Sequence, residues 1–323
     1  MEKPAGCICA VAATVGALLV TFPVPSAHAQ QSPSPFALDI LRGAIGEDPS
    51  PSRAPSPAGR GALDDGSNMQ PMGQVTFQAL MTEDGQRLEQ GLAWRVYSIK
   101  DMTADGRPRL VNTLRDASPV VRLAAGDYYV TVAFGRANLT RKISVAANGQ
   151  TVEPFALNVG LLKVTAQLGN RQLANGATFD VFSDDRDQFG QRSRVITGAH
   201  PGALLRLNSG LYQIVSQYGD ANSTIQADLT VEPGKLTEAV VVHQVARATF
   251  KLVTRAGGEA QADTQWSVLN RQGDIVKESA GALPVHTLAP GTYTVTARSQ
   301  GRQFRRTFAV KSGDVVEVEV MMQ

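Results

Sequence analysis

The residues able to do chemistry in this chain are few and scattered. Beyond residue 30 the sequence holds three histidines, His200, His243 and His286, and no cysteine; Cys7 and Cys9 lie in the opening stretch. A hydrolytic nucleophile needs a Ser or Cys held by a His that an acid orients. No Gly-x-Ser-x-Gly elbow is present, and the histidines stand at non-equivalent places. Zinc would call for a His-Glu-x-x-His or paired cysteines, and a nucleotide for a glycine-rich loop before a helix; neither pattern occurs. The expectation is a protein that is not an enzyme and takes no cofactor, with a hydrolase built on His286 or His200 as the remaining catalytic alternative.

Two clusters carry binding chemistry. Asp184-Asp185-Arg186-Asp187, followed by Gly190, spaces Asp185 and Asp187 as alternate oxygen ligands before a turn, the start of a calcium loop. Phe189 occupies the next ligand place and no later acid completes the set, so a solvated acidic loop is the competing reading. The second cluster is basic: Arg298, Arg302, Arg305 and Arg306 surround one turn, and Arg136, Arg141 and Lys142 a corresponding one. Outward cations on a hairpin can hold phosphate or carboxylate groups of an anionic polysaccharide or lipid. They can equally keep exposed strand edges from pairing with other chains. Arg141 and Arg306 fall on the apolar side of their strands, where a long side chain snorkels to the margin.

The elements that carry these residues repeat. Leu123-Ala-Ala-Gly126-Asp-Tyr128 returns as Leu207-Asn-Ser-Gly210-Leu-Tyr212 and as Leu288-Ala-Pro-Gly291-Thr-Tyr293. Trp94, Phe179 and Trp266 correspond as well, each followed two places later by Val, and read as buried anchors. Around them run short alternating stretches rich in Val, Thr, Tyr and Phe, punctuated by Gly, Pro, Asn and Asp, the signature of antiparallel strands. The fold expected is all-β: three tandem small antiparallel β-sandwiches of about seven strands each. Their bounds are 73–159, 160–245 and 246–323, with joints too short to let the units swing freely. A semi-rigid, elongated array follows, roughly 100 Å long if strands of about eight residues stack end to end.

Ahead of the sandwiches, Ile8 to Val20 form an apolar run behind Lys3, and Ala27-His28-Ala29 offers a small-x-small cleavage pattern. Residues 1–29 read as a signal peptide and residues 30–72, rich in Pro and Ser, as a disordered linker with one amphipathic stretch near Phe36–Ile45. No further run is long enough to cross a bilayer. The net charge of +2 over 323 residues gives no case for nucleic acid. Export without disulfides leaves apolar burial to hold each unit.

The phrase Leu288-Ala-Pro-Gly291-Thr-Tyr293-Thr-Val295-Thr-Ala297 resembles the carboxypeptidase regulatory-like, or transthyretin (prealbumin)-like, β-sandwich family. The resemblance covers each unit from about Gly73 to Gln323, with Ala125 and Ser209 replacing the proline in the first two. It implies that the Leu and Tyr pack inside, that the Gly makes the turn, and that the modules are non-catalytic. The function expected is an exported bacterial envelope protein, periplasmic, secreted or at the cell surface, acting as a spacer or binding array for a protein or glycan partner. The alternative is an anionic polysaccharide- or lipid-binding module using the basic hairpins.

Overall fold

The computed structural model describes residues 71–323, so the expected signal peptide and nearly all of the expected linker lie outside the described residues. Three units of seven strands follow one another. The first comprises β1 (Met72–Leu80), β2 (Leu92–Met102), β3 (Pro108–Leu114), β4 (Val120–Ala124), β5 (Gly126–Phe134), β6 (Ala137–Val145) and β7 (Gln150–Ala156). The second comprises β8 (Val159–Leu168), β9 (Thr178–Arg186), β10 (Arg192–Ala199), β11 (Leu204–Asn208), β12 (Gly210–Tyr218), β13 (Ser223–Val231) and β14 (Leu236–His243). The third comprises β15 (Ala246–Val253), β16 (Gln265–Leu269), β17 (Ile275–Ala280), β18 (Val285–Leu288), β19 (Gly291–Ser299), β20 (Arg302–Val310) and β21 (Val315–Met321).

Each unit packs a three-stranded sheet on a four-stranded one. The orders are 4-1-7 with 3-2-5-6, then 11-8-14 with 10-9-12-13, then 18-15-21 with 17-16-19-20. The sheets are not purely antiparallel. In each unit the last strand lies parallel to the first, β1 with β7, β8 with β14 and β15 with β21. A parallel partner requires a long crossover, and here the other five strands of the unit supply it. Joining one unit to the next takes two residues, Leu157-Asn158 and then Gln244-Val245.

Alternation makes the cores. Val75, Phe77 and Ala79 of β1 are buried while Gln74, Thr76 and Gln78 between them keep contact with solvent, as a period of two demands. Three separate apolar clusters result, one per unit. Trp94, Phe179 and Trp266 lie at corresponding points, paired across to Val132, Ser216 and Ala297, and all three are fully buried. The indoles donate to main-chain carbonyls, Trp94 to Asp116 at 3.0 Å and Trp266 to Gly281 at 2.8 Å. Phe179 fills the place in the second unit with no polar atom to satisfy.

The repeated phrase is a corner between the sheets. Its Leu is buried at the end of β4, β11 or β18, and its Tyr is buried near the start of β5, β12 or β19. The Tyr128 hydroxyl donates to the Ala124 carbonyl at 2.9 Å, Tyr212 to Asn208 at 2.9 Å and Tyr293 to Ala289 at 2.7 Å, tying each strand start back across the corner. Burial, with the Asp185 charge adding to it, pushes Tyr212 up to about 12, so it stays a donor throughout the neutral range. Gly126 and Gly210 turn the chain at φ of +153° and +152°, which side chains disfavour. Gly291 differs: its φ is not positive, and a Cβ there would only touch the Tyr293 ring at 3.4 Å.

Candidate functional site

The repeat generates two joints of one design. In each, the hairpin between the fifth and sixth strands of a unit docks on the fourth strand of the next. At the first joint the Arg136 N–H, in the β5–β6 turn, donates to the Arg206 carbonyl of β11 at 3.0 Å. Asn208 of the repeated phrase accepts from the Asn138 N–H at 3.0 Å and donates to the carbonyls of Asn138 at 3.0 Å and Leu157 at 2.9 Å. The Arg206 guanidinium lies 4.7 Å over the Phe134 ring. No ionisable pair bonds across this set of contacts.

At the second joint the β12–β13 loop, Gly219 to Asn222, reaches β18. Asn222 accepts from the Ala289 N–H at 3.0 Å and donates to the Tyr293 hydroxyl at 2.9 Å, both groups belonging to the phrase of the third unit. Asp220 accepts from the Thr287 N–H at 2.9 Å and bonds His286 Nδ1 at 2.6 Å, with Lys277 Nζ 3.4 Å away. On its other side the imidazole bonds the Ser279 hydroxyl through Nε2 at 2.8 Å. Burial pushes the Asp220 carboxyl up, but the Thr287 N–H, His286 and Lys277 outweigh it and hold the group below its ordinary value.

Ser279, His286 and Asp220 thus form a serine–imidazole–carboxylate relay, assembled from two units. Its order is that of a nucleophile relay. The chemistry also needs donors aimed at a developing oxyanion. The amide of nearby Gly281 is already committed to the Thr264 carbonyl at 2.9 Å. The ring itself is only 5% exposed and packs against Phe250, with centroids 5.9 Å apart. What the relay does in this geometry is fasten the second unit to the third.

His243 heads a second polar network, wholly inside the second unit. Its Nε2 bonds the Ser216 hydroxyl at 2.7 Å and its Nδ1 the Ser223 hydroxyl at 2.8 Å. Burial lowers its pKa. His200, by contrast, lies at the turn after β10, in neither network.

The basic residues separate into different settings. Arg298 and Arg305 both point from the outer face of the 17-16-19-20 sheet, one ladder step apart, since Arg298 faces Gln303 and Thr296 faces Arg305. Arg302, at the start of β20, alternates with them and shares the opposite face with Phe304, its guanidinium 5.2 Å over that ring. All three are exposed, and none has an ion pair among the described residues. A shallow concavity of about 840 Å³ adjoins Arg298, lined also by Asp263, Thr264, Gln265 and Gln300 among others. In the first unit Arg136 sits in the docked turn, and Lys142 pairs with Asp127 at 2.7 Å. Arg141 pairs with Glu153 and lies 4.4 Å over Phe155, while Arg306 donates to the Glu319 carbonyl.

Asp185 and Asp187 serve the β9–β10 hairpin. Asp187 Oδ1 accepts the N–H groups of Phe189 at 2.9 Å and Gln191 at 2.8 Å, and Asp185 accepts from the Ser183 hydroxyl at 3.3 Å. Among the described residues no three His, Cys, Asp or Glu side chains gather into a possible metal site.

Sequence reasoning missed the relay, because Asp220 and Ser279 lie 66 and 7 residues from His286. One signal was present in the repeat: His286 occupies the place of Val121 and Leu205, where the other units put an apolar side chain.

The fold defines an all-β chain of three tandem small sandwiches, interlocked by hairpins. The Rhizobiales growth-associated tandem repeat domain matches residues 247–322, which are the third unit. No curated protein matches the chain. Among solved structures, a streptococcal ancillary pilin is 11% identical at a TM-score of 0.33, over 78% of this chain and 100% of its own. A minor pilin of Streptococcus agalactiae is 13% identical at 0.32, over 53% of this chain and 95% of its own. The TIE protein of Bacillus anthracis is 17% identical at 0.25; 78% of this chain is covered, and this chain spans half the length of that one. At such values no property of these proteins transfers to this chain.

Proposed function

We propose that the protein is a non-catalytic, exported envelope component whose three transthyretin-like sandwiches form a semi-rigid spacer or binding array for a protein or glycan partner. The observation that carries this reading is the pair of joints, each fastened by hydrogen bonds between one unit's hairpin and the next unit's fourth strand and phrase: the N–H groups of Arg136 and Asn138 donate to the Arg206 carbonyl and the Asn208 side chain, and those of Thr287 and Ala289 to the side chains of Asp220 and Asn222. A chain that spends its repeated residues on fixing neighbours holds its loops at set separations. Linkers of two residues add to that restraint. Replacing the first two units by an unrelated rod of equal length tests the spacer role. A spacer keeps envelope retention after the exchange, whereas an array of equivalent binding units loses it steeply.

A second reading, recognition of an anionic polysaccharide or lipid, is favoured by the exposed arginines around the third unit's β19–β20 hairpin. Arg298, Arg302 and Arg305 are exposed and Arg298 lines a concavity, whereas Lys142 in the first unit is already engaged by Asp127. Guanidinium groups match carboxylate and phosphate in a bidentate manner. Substituting Arg302 and Arg305 by Ser tests it by measuring binding to an acidic polysaccharide at low and high salt. Binding unchanged by the substitutions removes this reading.

A further inference from the structure

Among the described residues, the three-stranded sheet of every unit ends in an edge strand, β7, β14 or β21, with no strand beyond it. An open edge presents unpaired N–H and C=O groups and invites another strand. The first and third units guard theirs. Arg141 of β6 lies over Phe155 and pairs with Glu153 on β7, and Arg306 of β20 donates to the Glu319 carbonyl of β21. The ladders place Arg141 opposite Val130 and Arg306 opposite Val295; the corresponding residue in the second unit, opposite Ile214, is Ala227. The edge strands differ in the same sense. Where β7 has Pro154, which lacks an N–H, and β21 has Glu319, β14 has Val240.

The outward side chains of β14 are correspondingly apolar: Leu236 is 48% exposed, Val240 55% and Val242 43%. On the neighbouring outer faces, the central strands read Gln74, Thr76, Gln78 in the first unit and Arg247, Thr249, Lys251 in the third. In the second they read Leu161, Lys163, Thr165: Leu161 extends the apolar patch beside Leu236, and Lys163 pairs with Glu238 beyond it. Among the described residues, the middle unit alone combines an edge strand that no arginine covers with three exposed apolar outward residues.

We propose that β14 pairs edge to edge with β14 of a second copy of this chain, antiparallel about a two-fold axis, joining two three-stranded sheets into one of six. The occupant is argued from self-complementarity. An antiparallel pairing centred on Ala239 sets Leu236 against Val242 of the second copy and Glu238 against its Val240, keeping outward residues on one face. The two Glu238 carboxylates are then not opposed, and each keeps its own Lys163 at 3.0 Å. Such a contact is isologous and closes at two copies. It buries less than the roughly 1,200 Å² of a standard complex, so the dimer is weak, with a Kd on the order of 100 µM.

The test is sedimentation velocity of the full chain from about 10 µM to about 1 mM, the range that brackets such a Kd, with hydrogen exchange of the β14 amides followed in parallel. The expected result is a dimer that grows with concentration and protects residues 236–243. Ala227→Arg, which installs the guard of the other units, and Val240→Glu, which copies Glu319, should each weaken the dimer by at least about tenfold. Val240 is exposed, so its substitution leaves the core untouched. A chain that stays monomeric throughout, or a dimer that both variants leave unchanged, overturns the proposal.

Discussion

Substituting Gly219 by Ala should open the joint between the second and third units. Gly219 has a φ of +78°, and a Cβ on it would lie 2.7 Å from the Cβ of Thr287. Carbon atoms rest at about 3.5–4.0 Å, so the loop must withdraw by about 1 Å. That displacement stretches four hydrogen bonds of 2.6–3.0 Å past useful length: Asp220 to Thr287 and His286, and Asn222 to Ala289 and Tyr293. At about 0.5–1.5 kcal/mol each, with the Asp220 pair counted low because that carboxylate is 41% exposed, the joint loses about 2–4 kcal/mol. The control is Gly301→Ala in the third unit's hairpin, at φ +74° with no atom within 4 Å of the added Cβ. It carries the same left-handed strain of about 1–2 kcal/mol but no docking contact. Hydrogen exchange at the amides of Thr287 and Ala289 reads the difference. Gly219→Ala should speed it by about 30- to 1,000-fold, and Gly301→Ala should leave it near wild type. Equal rates in the two variants would refute the docking argument.

Other outcomes follow from the same geometry. Because burial lowers the His243 pKa, the unfolded chain binds the extra proton first as pH falls below about 6.5, so the second unit loses stability there by up to about 1.4 kcal/mol per pH unit. Urea midpoints at pH 7.5 and 5.5 should show that loss, and His243→Leu should flatten it. Trp266→Ala, which empties the third core and strands the Gly281 carbonyl, should cost about 3–5 kcal/mol in denaturant unfolding and leave the first unit's transition in place, since the two cores are separate. The relay of Ser279 should take no label from a fluorophosphonate probe; labelling abolished by Ser279→Ala would instead mark it as a reactive serine.

The repeat made much of this fold legible. Trp94, Phe179 and Trp266 and the Leu-x-x-Gly-x-Tyr phrase report on cores, and a core residue advertises itself by type and period. The parallel closing strands were not legible, because β21 alternates in sequence as any antiparallel strand does, and β7, with Val152 exposed and Glu153 in step with buried Phe155, shows no clear period at all. The joints escaped for a different reason. Asn208, Asn222 and Asp220 stand in turns where such residues are ordinary, and only the three-dimensional approach of the next unit shows that they fasten neighbours. The arginines show both sides of the problem: Arg141 ends on Glu153 and Phe155 and Arg306 on the Glu319 carbonyl, Lys142 as a partner of Asp127, and Arg298, Arg302 and Arg305 as exposed cations. Composition alone gave them one appearance.

The measurement that bears most directly on the proposed role is co-sedimentation of the full chain with isolated cell-envelope fractions at low and high salt. The array reading predicts retention at low salt, and recognition through the hairpin arginines predicts that retention falls at high salt and with Arg302→Ser plus Arg305→Ser. A chain that stays in the supernatant under both conditions would contradict an envelope partner altogether.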